Sequence, residues 1–323
     1  MAYRWPIPRR PRAQNRRHRN RGQAGGREGK PVKNVRAATK LTAFILSALV
    51  LIPVQWVGVK LKRPYSKALP RRFHRLLCAI IGIRVVVRGT PYRDGPCLLA
   101  SNHNSYLDIP VLGSVTPLSF VAKKEVAGWP FFGTLARLQE TVFVDRERRT
   151  KAAATANEIH QRIAGGDTLV LFPEGTSSDG NRVLPFKSAL MAVAQMAVGG
   201  GEDPEPVSVQ PVSITYTKLC GIPMGRQFRP YFAWYGDMDL GPHLWEAFGL
   251  GPFEVVVEFH EPVTLDAHGN RKKLAAYCEQ KSAEGVRRSL EGLVPARPAG
   301  ESLPGGGRTP EKEEKSGQTV AAE

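Results

Sequence analysis

Cysteine is scarce in this chain of 323 residues, and its placement excludes more than its number does. Cys78, Cys97, Cys220 and Cys278 lie far apart, form no CxxC pair and have no histidine at zinc-ligand spacing. Neither a disulfide framework nor a zinc site is expected, and the four read as small buried side chains in a reducing compartment. Also missing are the HExxH of a metalloprotease, a Gly-rich phosphate loop and a GxSxG nucleophile elbow. In Gly175-Thr176-Ser177-Ser178-Asp179 the second required glycine is Asp179. Acid is in short supply: 29 Asp and Glu stand against 46 Lys and Arg, a net charge of +17. The excess is uneven, since residues 1–40 hold thirteen bases and the single acid Glu28, whereas the stretch from Val294 onward is close to neutral. Aromatic residues suited to base stacking are not interleaved with the N-terminal arginines, so no nucleic acid is expected as a partner. A secretory signal is not expected either, because forty polar residues precede the first apolar run and no small-residue cleavage site ends it.

What is present falls into four segments. Residues 1–40, with Arg9-Arg10-Pro11-Arg12 and further arginines, are too charged and too poor in large apolar groups to offset their ordering entropy and read as a disordered basic tail. Such a tail suits an anionic membrane surface, at roughly 1 kcal/mol per basic residue near that surface. Leu41–Val59 carries no charge and is close to the roughly 20 residues a spanning helix needs. Both of its flanks are basic, and Pro53 interrupts it, so a span and a bent segment that enters and returns are both open. Residues 70–82 mix cationic and apolar positions at helical spacing and suit the lipid interface, or an ordinary helix packed on the core, and close a membrane-associated helical segment over 41–82.

From residue 83 to 293 short β-rich runs alternate with helical stretches. Runs at 85–87, 97–101, 118–122, 141–144, 168–172, 207–216 and 253–260 read as strands, with helices over 148–164, 187–198 and 271–290. Such alternation predicts an α/β fold, a mixed, largely parallel sheet flanked by helices. Residues 294–323 are rich in Pro, Gly and charge and read as a disordered tail.

Chemistry is concentrated where these strands end, as open α/β sheets arrange it. After the strand at 97–101 come His103 and, five positions on, Asp108. Histidine can take a proton from a hydroxyl near neutral pH, and a carboxylate on its other nitrogen fixes the tautomer and stabilises the imidazolium. The pair alone could equally be a turn with a capping carboxylate. A second strand ends in Phe172-Pro173-Glu174-Gly175-Thr176, a third in Val144-Asp145-Arg146, and Gln210-Pro211-Val212 lies within a fourth. Arg146 suits an anionic headgroup, because its planar guanidinium donates in pairs.

The ordered set Asn102-His103-Asn104-Ser105-Tyr106-Leu107-Asp108, Lys123-Lys124-Glu125 with Asp145-Arg146, Phe172 to Ser178, and Val207 to Ile214 resembles the four blocks of the glycerolipid acyltransferase family, the 1-acylglycerol-3-phosphate O-acyltransferases and their relatives. The likeness covers about residues 75–265. It implies catalysis by His103 and Asp108 and an acceptor held by Lys123, Arg146, Glu174, Gly175 and Thr176. It also implies direct attack of a lysolipid hydroxyl on acyl-CoA or acyl carrier protein, with no cofactor or metal, on the cytoplasmic face of the membrane. One departure stands out. Ser177 occupies the place of an arginine expected to contact an acceptor phosphate, and Lys123, Lys124, Arg182 and Lys187 could substitute for it. A phosphate acceptor, 1-acylglycerol-3-phosphate, is the first expectation. Lyso-ornithine lipid, with its carboxylate and amine, is the alternative. A non-catalytic membrane-anchored adaptor and a lysolipid esterase are readings of other classes, but an adaptor gives no reason for His, Asp, Arg and Glu at successive strand ends.

Overall fold

The computed structural model describes residues 29–95, 97–145, 149–195, 197–198, 205–292 and 297–298. The tail calls at 1–28 and most of 294–323 lie outside these residues, as does Arg146. Residues 29–40, placed in the tail by their charge, are instead the opening turns of helix α1 (Gly29–Lys60).

Helix α1 buries Ala37, Phe44, Ala48 and Gln55, a stripe repeating every four or seven residues. Its remaining faces expose Ile45, Leu46, Leu49, Val50, Val54 and Trp56, where a water-facing helix would be polar. Among the described residues it is the one helix long and apolar enough to cross a membrane. Pro53 leaves it continuous. A short turn leads into α2 (Tyr65–Ile81), which closes on Gly82 in the left-handed conformation and buries His74, Leu77, Cys78 and Ile81.

The strands that follow are β1 (Ile83–Arg88), β2 (Cys97–Ser101), β3 (Ser119–Lys123), β4 (Val142–Val144) and β5 (Thr168–Leu171). After them come the short pair β6 (Ala197–Val198) and β7 (Glu205–Pro206), then β8 (Ser208–Leu219), β9 (Ile222–Pro223), β10 (Phe253–Phe259) and β11 (Arg297–Pro298). The main sheet runs β11-β1-β10-β8-β2-β5-β3-β4, with β9 on β8. Strands β8, β2, β5, β3 and β4 are mutually parallel. Strands β10 and β1 are parallel to each other but run against β8, which makes the sheet mixed and largely parallel.

Alternation along the strands feeds two cores. Cys97 and Leu99 of β2, with Val170, Ile214 and Tyr216, face α1, α2, α3 (Asp108–Val115) and α6 (Leu240–Gly249). Leu98, Ala100, Leu169, Leu171 and Val209 face α5 (Arg149–Ala164) and α8 (Arg271–Glu291). Two small helices, α4 (Phe132–Leu138) and α7 (Leu265–His268), complete the set. The expected helix over 187–198 does not form: a 3-10 turn at Leu190–Gln195 and strand β6 take its place. Its apolar residues are too continuous to leave a polar stripe, so periodicity gave no real support for an amphipathic helix there. Cys78, Cys97 and Cys278 are buried, with thiols pushed up to about 12 by desolvation, but Cys220 is exposed, against expectation.

Gly89, at φ +67, ends β1 so closely against β10 that an added Cβ would lie 2.1 Å from the Phe259 carbonyl oxygen. Gly89→Ala is therefore expected to lower stability by about 2 kcal/mol or more, from the left-handed backbone and the clash together. A denaturant midpoint equal to that of the native sequence would show that this turn relaxes freely.

Candidate active site

The carboxyl ends of β2 and β5 are neighbours in the sheet, so the loops leaving them meet. The β2 loop, Asn102–Leu107, wraps the first residue of α3. Asp108 is wholly buried, and its Oδ2 accepts from the backbone N–H of Asn104 (2.7 Å) and of Ser105 (3.0 Å). The Tyr216 hydroxyl, from β8, donates to Oδ1 at 2.8 Å. The fourth contact is His103 Nδ1, 2.8 Å from Oδ2. Because Oδ2 already takes two backbone donors, Nδ1 carries the ring proton and Nε2 presents a lone pair. The imidazole stacks on Phe172 from the β5 loop, with ring centroids 4.0 Å apart, and its side chain keeps 21% of its accessible surface. The pair anticipated from sequence is thus assembled, with the histidine reachable and the aspartate sealed.

Supporting contacts fix both loops. Asn102 exchanges two hydrogen bonds with the Ile214 backbone, and Asn104 Nδ2 donates to the same carbonyl. Ser178 N–H donates to the His103 carbonyl at 2.8 Å, and its hydroxyl donates to Asn104 Oδ1. Trp234 N–H donates to the Asn104 carbonyl, and Ser177 donates to the Trp234 carbonyl. Through Trp234 the aromatic stretch 231–239 therefore packs against both loops. Trp234 meets Trp129 edge-on, and Tyr106 bonds His243 at 3.0 Å.

The other expected site residues divide. Gly175 is buried at φ +72, a turn conformation that suits glycine, while Thr176 and Lys123 are exposed at the ends of β5's loop and of β3. Glu174, expected on the acceptor, is only 1% exposed, and its Oε1 accepts the His103 N–H at 3.3 Å. Its carboxyl supports the histidine's backbone, and its Oε2 has no partner among the described residues. Gln210 lies inside a strand as read: within β8 it bonds Tyr92 N and the carbonyls of Thr90 and His260, pinning the β1–β2 connection. Tyr216 went unnoticed in sequence. The one available signal was that it shares a face with Ile214 and Val212 on an alternating strand.

An apolar cavity of about 210 Å³ lies between α1, α2, α3 and α4, and its lining includes Tyr106 and Leu107 of the loop that carries His103. Such a histidine can act as a general base toward a hydroxyl, and such a cavity can take up a hydrocarbon chain. Residues 83–215 match the Acyltransferase family. The chain is 45% identical over 250 residues to the lyso-ornithine lipid O-acyltransferase of Brucella abortus, covering 77% of this chain and 93% of that one. It is 32% identical over 179 residues to the 1-acyl-sn-glycerol-3-phosphate acyltransferase of Neisseria gonorrhoeae, covering 55% and 64%. The crystal structure of PlsC from Thermotoga maritima shares the fold, at a TM-score of 0.56 and 24% identity over 79% of this chain and 97% of that one. The chain belongs to the acyltransferase family and is an O-acyltransferase.

Two predictions follow from the geometry. Asp108→Asn keeps the volume but puts an amide where four donors converge, disturbing the histidine's tautomer. Turnover is expected to fall about 10⁴-fold, the scale of such losses in histidine–carboxylate pairs, with the circular dichroism spectrum retained. A fall of only a few-fold would remove Asp108 from that role. The second concerns pH. Burial, chiefly, pushes the Glu174 carboxyl up to about 8 from its ordinary 4.5. Between those values the folded chain holds a proton that the unfolded chain has released, so this group's contribution to stability is full below about pH 4.5 and declines toward pH 8. Glu174→Gln, shaped like the neutral acid, is expected to flatten that decline in a melting-temperature series from pH 5 to 8. Parallel curves for the two proteins would contradict it.

Proposed function

We propose that this enzyme transfers a fatty acyl group from acyl-CoA or acyl carrier protein to the free hydroxyl of a lyso-ornithine lipid, on the cytoplasmic face of the membrane. The observation that carries the reaction is the His103–Asp108 pair, with Nδ1–H on the carboxylate and Nε2 left as a base. Nε2 takes the hydroxyl proton as the oxygen attacks the thioester carbonyl carbon. The tetrahedral intermediate collapses with cleavage of the C–S bond, and the leaving thiolate recovers the proton from the imidazolium. No acyl-enzyme is needed. Asp108 stabilises the transient imidazolium and holds its ring in place. The acyl chain lies in the apolar cavity, and the exposed apolar face of α1 keeps that cavity beside the lipid that supplies the acceptor.

The choice of acceptor departs from the first expectation, a phosphate. Ser177 brings no charge to the position where a phosphate-binding arginine was looked for, and its hydroxyl is committed to Trp234. The Brucella relative, which this chain matches over 93% of its length, is named for the ornithine substrate. The Neisseria relative, matched over 64%, keeps 1-acylglycerol-3-phosphate as the second reading. Lys123, Arg146 and Thr176 are the residues proposed to meet the headgroup.

Purified full-length protein with one thioester donor and equal lyso-ornithine lipid and lysophosphatidic acid is expected to acylate the ornithine acceptor at least about tenfold faster by kcat/KM, with His103→Ala inactive but folded. Preference for lysophosphatidic acid would restore the phosphate reading. Turnover surviving in His103→Ala would end the catalytic assignment.

A further inference from the structure

The acyl cavity is apolar along most of its length but ends in polar side chains. Gln55 of α1, His74 of α2 and Gln139, just past α4, all line it. Gln55 and His74 are each only 6% exposed. The Gln55 amide nitrogen donates to the carbonyls of Ser66 and Leu138, both at 2.9 Å, which leaves its Oε1 as an acceptor, and that atom is buried without a partner among the described residues. The Gln139 amide nitrogen donates to the Leu118 carbonyl, so its oxygen accepts from His74 Nε2 at 2.9 Å. His74 Nδ1 is then a lone pair rather than an N–H, and it too is buried with no partner. Burial drives this histidine down to about 4, so it stays neutral at working pH and the lone pair persists.

Two buried acceptors with no donor are costly, each leaving its desolvation uncompensated. The site is nevertheless closely built. Gly113 of α3 lies so near His74 that an added Cβ would stand 2.3 Å from the imidazole Cδ2. Its distance from the chemistry also follows from the fold. Ser119 begins β3 and donates to the Gln139 carbonyl at 2.8 Å, which sets this polar end at the amino edge of the sheet, opposite His103. Five residues of β3 at about 3.3 Å each separate the edges by about 16 Å, a span within reach of the distal half of a long acyl chain.

We infer that this end of the cavity is a binding site for a hydroxyl group on the distal half of the acyl chain, and that the enzyme favours hydroxylated acyl donors over unsubstituted or keto ones. The inference rests on the acyl chain occupying the cavity, as proposed above. Both free atoms are acceptors, so they match an O–H and repel a carbonyl oxygen. A site built to bond a substrate hydroxyl discriminates against the analogue that lacks it, because its own polar groups are then left unpaired.

The test reads binding and turnover separately. Hexadecanoic acid and its hydroxy and keto derivatives, substituted at successive distal carbons, compete with a fluorescent fatty acid for the full chain in detergent micelles. The corresponding thioesters are then compared by kcat/KM. Hydroxy acids are expected to displace the probe about tenfold better over a narrow range of positions, with keto acids no better than the unsubstituted acid. Gln55→Leu and His74→Phe are expected to abolish that preference while retaining affinity for the unsubstituted chain. Equal displacement by all three classes in the native protein would overturn the inference whether or not the variants fold. So would a preference that both variants keep. A clear displacement preference without any acyl transfer would fault the proposed reaction and leave the binding site standing.

Discussion

Four donors from two separate parts of the chain converge on the Asp108 carboxylate, and most of the site is arranged around that convergence. Two are backbone N–H groups of the loop that the carboxylate itself shapes, one is the phenol of Tyr216 on β8, and the last is the imidazole of His103. A carboxylate sealed from water is tolerable only when it is saturated in this way. The same saturation dictates the histidine's tautomer. With Oδ2 already occupied by N–H donors, the ring can approach only with its own N–H, which leaves the opposite nitrogen basic and turned toward the opening. Folding and chemistry are therefore one constraint here: what stabilises the buried charge also prepares the base.

The second organising feature is the helical pair α1 and α2. A stripe of α1 is buried against the domain, and between Leu41 and Val59 the rest of its surface is largely apolar too, with Ile45, Leu46, Leu49, Val50, Val54 and Trp56 exposed. Lipid is the solvent that fits such a helix. The cavity that reaches Tyr106 and Leu107 of the His103 loop is walled in part by the same two helices.

Much of this was legible in the sequence, for reasons that differ by residue. His103 and Asp108 are five positions apart, so one loop can bring them together, and the ordered set of strand-end segments is what distinguished the pair from a capped turn. Strands β2 and β5 read as apolar runs because both of their faces are buried. Tyr216 and Trp234 were illegible because their partners lie more than a hundred residues away in the chain, at Asp108 and Asn104, and nothing local marks such pairing. Gln210 was read within its strand and lies there, but its partners at Tyr92, Thr90 and His260 were again set by contacts distant in the chain. The reversed direction of β1 and β10 likewise follows from packing rather than from any feature of those strands. The boundary of the basic tail failed at 29–40 because charge density argues against self-sufficient order, while Ala37 on this helix packs into the core of the domain.

Glu174 shows how a motif residue can be placed correctly in the chain and still be assigned the wrong partner. Its position after β5 brings it beside the histidine, as expected, but the carboxyl turns inward and binds the histidine's backbone instead of reaching for the lipid. Burial favours its neutral form, and the nearby Asp108 and Glu279 charges push in the same direction. A second ionised carboxylate so close to Asp108 would compete for the positive charge that develops on His103 during proton transfer. Keeping Glu174 protonated leaves Asp108 as the one anion in contact with the imidazole, so the field at the base comes from a single defined charge. The neutral acid then does what an amide would do, ordering the backbone that carries the base without adding to its electrostatics.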